Sequence, residues 1–79
     1  MVEERIIEIL AELCGADEIK EDLDIDLFEE DYMDSLNFIE LLIAIEENFK
    51  VTIAPTEVER DDVNTPRKII ELVQERIQK

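Results

Sequence analysis

The chain has 79 residues, with 23 Asp and Glu against 8 Lys and Arg, no His, and a net charge of −15. That length leaves room for one domain, 1–79, near the size at which a single core stabilises a fold only marginally. The charge repels nucleic-acid phosphates and anionic membrane surfaces, and the lack of His removes both a Ser-His-Asp arrangement and any His-based metal site.

Hydrophobic residues are 46% of the chain while Gly is 1 and Pro is 2, which favours compact helices over a disordered acidic tail. The single Cys cannot form an internal disulfide. No apolar run has the length of a membrane span or the layout of a signal peptide, so the cytoplasm is the expected compartment, with no direct membrane insertion.

Val2 to Leu13 reads as a helix, with Ile6, Ile7, Ile9, Leu10 and Leu13 on a wide apolar face and Glu3, Glu4, Glu8 and Glu12 lining the rest. Gly15 stands where a left-handed residue ends a helix. Cys14 is read as a small buried hydrophobe, because no His and only one Lys lie near enough in sequence to lower its pKa.

Ala16 to Met33 forms a long acidic connection. Leu23, Ile25 and Leu27 alternate with Asp22, Asp24 and Asp26, the period of an edge strand, but no other segment offers a pairing partner. An extended loop covering one end of the bundle is expected. The alternating Asp residues also resemble the start of a calcium loop, yet the sixth position would be Leu27 and the twelfth Met33, where Gly and Glu are required. No specific metal site is expected, only loose divalent binding, with cations firming up a fold strained by self-repulsion.

Asp34-Ser35 then leads into the longest apolar-periodic segment. Phe38, Leu41, Leu42, Ile45 and Phe49 share one face and are expected to form the heart of the core. Leu36, Ile39 and Ile43 fall on the other side among Glu40, Glu46 and Glu47, a second stripe that core packing does not explain; packing under the long loop is the competing account. Asp34 is expected to cap the helix, and the free N–H groups and positive dipole end favour an anion on Ser35. Taken alone, Asp-Ser is also an ordinary helix start.

Lys50 to Pro55 reads as an extended turn. Thr56 with Glu59 matches a capping box and predicts a short helix of one or two turns, broken at Arg60 to Asn64. Thr65-Pro66 starts the last helix, with Ile69, Ile70, Leu72, Val73 and Ile77 as its apolar stripe. The expected fold is all-α, a four-helix bundle of three longer helices and one short third helix, with a long loop between helices one and two.

With no general base for Ser35, catalysis within the chain is not expected, and Ser35 reads as the substrate of another enzyme. Asp34-Ser35-Leu36 heading a helix that ends Ile45-Glu46-Glu47-Asn48-Phe49 resembles the acyl carrier protein family, and the resemblance covers nearly the whole chain. It implies that Ser35, supported by Asp34, carries 4′-phosphopantetheine through a phosphodiester. A separate Mg²⁺-dependent phosphopantetheinyl transferase would take that group from coenzyme A. The arm's thiol would then hold an acyl or aminoacyl group as a thioester.

The same resemblance implies a docking face of Leu36, Ile39, Glu40, Ile43, Glu46 and Glu47. Its partners would be an adenylating ligase or an acyltransferase or synthase with a basic surface, meeting a monomeric carrier. The tail from Val58 to Ile70 and the spacing of Asp26-Leu27-Phe28-Glu29 are similar to D-alanyl carrier proteins and other specialised stand-alone carriers. The Gly common in the family shortly before Asp-Ser is replaced around Asp31-Tyr32, and Leu36-Asn37 stands where D-alanyl carriers often show Met-Gly. A carrier in a specialised pathway is the main reading. The alternatives are a D-alanyl carrier for teichoic acid D-alanylation, an acidic interaction module that never carries the arm, and plain phosphorylation of Ser35. Bulky Phe38, Ile45 and Phe49 in the core would leave little spare volume, which suits a short or polar cargo.

Overall fold

Three α-helices form where the apolar spacing recurs every three or four residues: α1, Val2–Cys14, α2, Ser35–Phe49, and α3, Pro66–Gln78. The structure, a computed structural model, describes residues 2–78. Short 3₁₀ turns at Asp17–Lys20, Pro55–Glu57 and Arg60–Asp62 occupy the connections. No strand occurs among the described residues.

Ile6 and Leu10 of α1, Leu41 and Ile45 of α2, and Ile69 and Val73 of α3 are all but completely buried. Each such side chain contributes about 1.5–3 kcal/mol relative to leaving it in water. α1 packs against both other helices, whereas α2 and α3 meet each other far less. Arg5 of α1 adds a polar staple, its Nε donating to Asn48 Oδ1 of α2 at 3.0 Å.

The aromatic residues expected at the heart of the core lie at its margin. Phe38 and Phe49 are only half-buried, and Leu41, Leu42 and Ile45 do the filling. α2 is apolar on two sides, so its periodicity identifies the faces without fixing how deep each residue sits.

Local chemistry sets the helix ends. Gly15 takes φ +63°, and the Ala16 N–H donates to the Ala11 carbonyl at 3.1 Å, the closing bond of a Schellman motif. Lys50 does the same work for α2 without being glycine, at φ 59°, with its N–H on the Glu46 carbonyl. Thr65 Oγ1 accepts the Lys68 N–H at 3.2 Å, which satisfies one free donor of α3, and Pro66 is buried at the first helical position.

Two stretches differ from expectation. The connection after α1 is not simply extended: the Asp17–Lys20 turn drives Ile19 fully into the core, and Leu27 and Met33 follow it. The short third helix is instead a pair of three-residue 3₁₀ turns, and Thr56 is not its cap. Pro55 starts the first turn after Ala54, and Val58 is extended at φ −127°, ψ 151°. Beyond it the Asp62 carboxylate accepts the Glu59 N–H at 3.0 Å and the Glu59 carbonyl accepts the Asp62 N–H at 2.9 Å. Backbone groups that would continue a helix are thus used locally.

Candidate functional site

Ser35 is the first residue of α2 and is exposed. Asp34 precedes it in an extended conformation, its Oδ1 accepting the Asn37 N–H at 2.9 Å while its carbonyl accepts the Phe38 N–H at 2.9 Å. The Ser35 hydroxyl has no hydrogen-bond partner among the described residues. At the positive end of a fifteen-residue helix, an anion attached there is favoured by the dipole. Free hydroxyl, exposure and helix end all fit a serine-linked phosphodiester.

The turn before Ser35 is tightly built. The Leu27 carbonyl accepts the N–H groups of both Tyr32 and Met33, at 2.9 and 3.0 Å, and the Tyr32 carbonyl accepts Asn37 Nδ2 at 3.4 Å. Asp31 sits at φ 60°, the left-handed conformation that glycine adopts without strain. Asp is among the few residues that tolerate this geometry. Tyr32 Oη donates to Glu18 Oε2 at 2.6 Å, and that carboxylate pushes the phenol pKa up. Phe28 meets Phe38 edge-on at 6.4 Å. Beside Ser35 lies a groove of about 550 Å³ whose walls include Phe28, Met33, Phe38, Ile39 and Pro55.

Leu36, Ile39 and Ile43 are 68%, 39% and 51% exposed, and Glu40, Glu46 and Glu47 are exposed with them. The loop does not cover the three apolar residues. Among the described residues none of these Glu side chains is in an ion pair.

The alternating Asp residues of the loop serve the fold. Asp22 Oδ1 accepts the Asp24 N–H at 3.0 Å. Asp24 pairs with Arg67, Nε to Oδ1 2.8 Å, and the guanidinium's hydrogen bond holds the Asp24 carboxyl below its ordinary range. Asp26 Oδ1 accepts the N–H groups of Phe28 and Glu29 at 3.1 and 2.9 Å, and its Oδ2 accepts Asn64 Nδ2 at 3.2 Å. Among the described residues no group of three potential ligands is arranged to hold a metal. Cys14 is half-buried, and burial pushes its thiol up.

Sequence reasoning missed the roles of Asn64 and Arg67. Their partners lie 38 and 43 residues away, and the only local hint is Asp26 followed two and three residues on by amides it can cap.

A small acidic helical bundle with an exposed serine at a helix start has the form of the non-catalytic carriers that hold a covalent arm for other enzymes, and comparison with known proteins gives that class. The family model described as "Phosphopantetheine attachment site" matches residues 4–73, and the chain belongs to that family, whose prosthetic group is 4′-phosphopantetheine. The chain is similar to the D-alanyl carrier protein of Abiotrophia defectiva, 42% identical over 76 residues, 96% of each chain. It is also similar to those of Bacillus velezensis, 45% identical over 67 residues, 85% of this chain and 86% of the relative, and Lactococcus lactis subsp. cremoris, 43% over 75 residues, 95% of each.

Proposed function

We propose that this chain is a D-alanyl carrier protein in which Ser35 is the residue esterified by 4′-phosphopantetheine. The observation that supports it most is the identity of 42–45% to proteins named as D-alanyl carriers, running through a stretch whose serine is exposed and unbonded. When bound, the arm supplies a thiol that holds the cargo as a thioester. Ser35 Oγ provides the attachment point: it gives up its proton as it bonds to the phosphorus that bears the pantetheine, the pyrophosphate bond of coenzyme A breaks, and adenosine 3′,5′-bisphosphate leaves. Asp34 fixes the start of α2 so that the oxygen stays at the helix end, and the helix dipole stabilises the phosphodiester. A transferase provides the base, since this chain has no His.

The face of Leu36, Ile39 and Ile43 with Glu40, Glu46 and Glu47 is the docking surface in this reading. It meets the phosphopantetheinyl transferase and then an adenylating ligase in the cytoplasm, with the chain acting as one monomeric carrier domain. Unpaired carboxylates steer basic partners, and the exposed apolar stripe supplies the desolvated contact.

Incubation with coenzyme A, Mg²⁺ and a promiscuous phosphopantetheinyl transferase tests the attachment by mass spectrometry. One pantetheine adduct on the wild-type chain and none on Ser35→Ala is the expected result; an adduct retained by Ser35→Ala refutes the assignment. The holo-protein, offered D-alanine and other amino or fatty acids with the matching ATP-dependent ligases, is expected to load D-alanine. Loading by a long-chain acyl ligase in preference to the D-alanine ligase would overturn the cargo assignment.

A further inference from the structure

The geometry points to Asp26 and Asn64 as a positioning pair that holds Ser35 in register for phosphopantetheinyl transfer, acting through the Leu27 carbonyl rather than by touching the serine. The inference rests on Ser35 being the attachment residue.

A run of hydrogen bonds leads from Asn64, two residues before α3, to the residues that flank Ser35. Asn64 meets the loop twice, its carbonyl accepting the Leu27 N–H at 2.7 Å and its Nδ2 donating to Asp26 Oδ2 at 3.2 Å. The other oxygen of Asp26 takes the Phe28 and Glu29 amides, so this one carboxylate both shapes the turn and ties it to the residue just before Thr65-Pro66. Leu27 is held at its N–H by Asn64, and on the other side of its Cα its carbonyl accepts from Tyr32 and Met33. Tyr32 in turn accepts from Asn37, whose backbone N–H is held by Asp34. Ser35 lies between those last two anchors.

Two further observations set this pair apart from an ordinary loop contact. The Asn64 Oδ1 atom is buried with no hydrogen-bond partner among the described residues. Turning the amide over would relieve nothing, because it would set that oxygen against the Asp26 carboxylate. The Asp26 carboxylate therefore fixes which way the Asn64 amide faces, with its NH₂ aimed at Asp26. Alongside it the Arg67 N–H donates to the Leu23 carbonyl at 3.0 Å and the Arg67 guanidinium pairs with Asp24, so the start of α3 is tied to the loop at further points. Neither Asp26 nor Asn64 lies on the exposed face of α2. Losing the pair should displace the nucleophilic oxygen without weakening the binding of a partner enzyme.

The test compares D26N, N64D and the exchanged double variant D26N/N64D. In D26N the side-chain oxygen still takes the Phe28 and Glu29 amides, but its NH₂ meets the Asn64 NH₂; in N64D two carboxylates meet. The double variant restores one donor to one acceptor at the wild-type net charge of −15. Pantetheinylation kinetics on the full chain are expected to show kcat lowered about tenfold in each single variant with KM within about twofold, and kcat recovered to within about threefold in the double, since misplacing a reacting atom costs rate rather than affinity. Hydrogen exchange on the unmodified proteins is expected to quicken at the Tyr32, Met33 and Asn37 amides while Leu10 and Val73 keep their protection.

Single variants with unchanged kcat, or with kcat, KM and core protection all moving together and no recovery in the double, overturn the inference. Should a single variant fail to fold, a folded double with wild-type kcat supports the pairing and an unfolded double refutes it. Failure of the attachment reading is told apart by the wild-type chain, which would then show no adduct at Ser35, while the exchange measurements still show whether the pair orders the Ser35 turn.

Discussion

The cap on α2 can be measured apart from the charge that makes it. Asp34→Ala and Asp34→Asn both delete one carboxylate from a chain of net charge −15, so relief of self-repulsion and loss of the favourable dipole interaction are common to the two. They differ in the hydrogen bond: Asn keeps an oxygen where Asp34 Oδ1 accepts the Asn37 N–H at 2.9 Å, and Ala leaves that donor unpaired. Asn and Asp are near-equal N-caps, and their replacement by Ala costs about 1 kcal/mol. For a domain of this size 1 kcal/mol moves Tm by about 4–8 °C. Circular-dichroism melts of the unmodified proteins at fixed ionic strength should therefore place Asp34→Ala about 4–8 °C below Asp34→Asn. Melting points that agree within about 1 °C would refute the claim that this carboxylate defines the start of the serine-bearing helix.

Gly15→Ala meets no atom within 4 Å of the added Cβ, so its cost is the left-handed backbone at φ +63° alone; a loss of about 1–2 kcal/mol in denaturant melts is expected, with unchanged m. Arg67 lowers the Asp24 pKa, so the stabilisation from this pair is present above the ordinary carboxylate value of 3.8 and is lost as pH falls through the lower folded value. Melts of wild type and Asp24→Asn should accordingly differ at pH 7 and converge at the acid end, and a gap that widens on acidification would contradict the sign. Ile43→Asp alters a half-exposed residue of the α2 face, so it should leave Tm nearly unchanged while raising KM for the transferase or ligase about tenfold. Burial raises the Cys14 thiol, and iodoacetamide at pH 7.5 should modify it more slowly than glutathione; faster labelling would expose a thiolate that the packing denies.

The helix ends were legible because each is written in a few adjacent residues: Gly15 for the first stop, Asp34 for the second start, Thr65-Pro66 for the third. The two opposed stripes of α2 were legible from period alone, although which aromatic rings reach the core was not, since Phe38 and Phe49 lie on the right side and stop at its margin. Thr56 misled because a capping box is a local rule, and Pro55 one residue earlier begins a tighter turn. Ser35 could be located as a helix start, but its chemistry needed the family resemblance, because the physics of a helix terminus welcomes any anion. The contacts that brace its turn, Asp26 to Asn64 and Asp24 to Arg67, join segments that nothing in the linear order marks as neighbours.

Because α1 is the element on which both other helices rest, the core depends on contacts between segments far apart in the chain. Of these three helices α1 is synthesised before the two that cover it, and the α3 part of its cover, around Ile69 and Val73, is made last of the three. Completion of this core thereby waits for α3. The excess of like charge that opposes collapse also disfavours association between chains whose core is not yet closed.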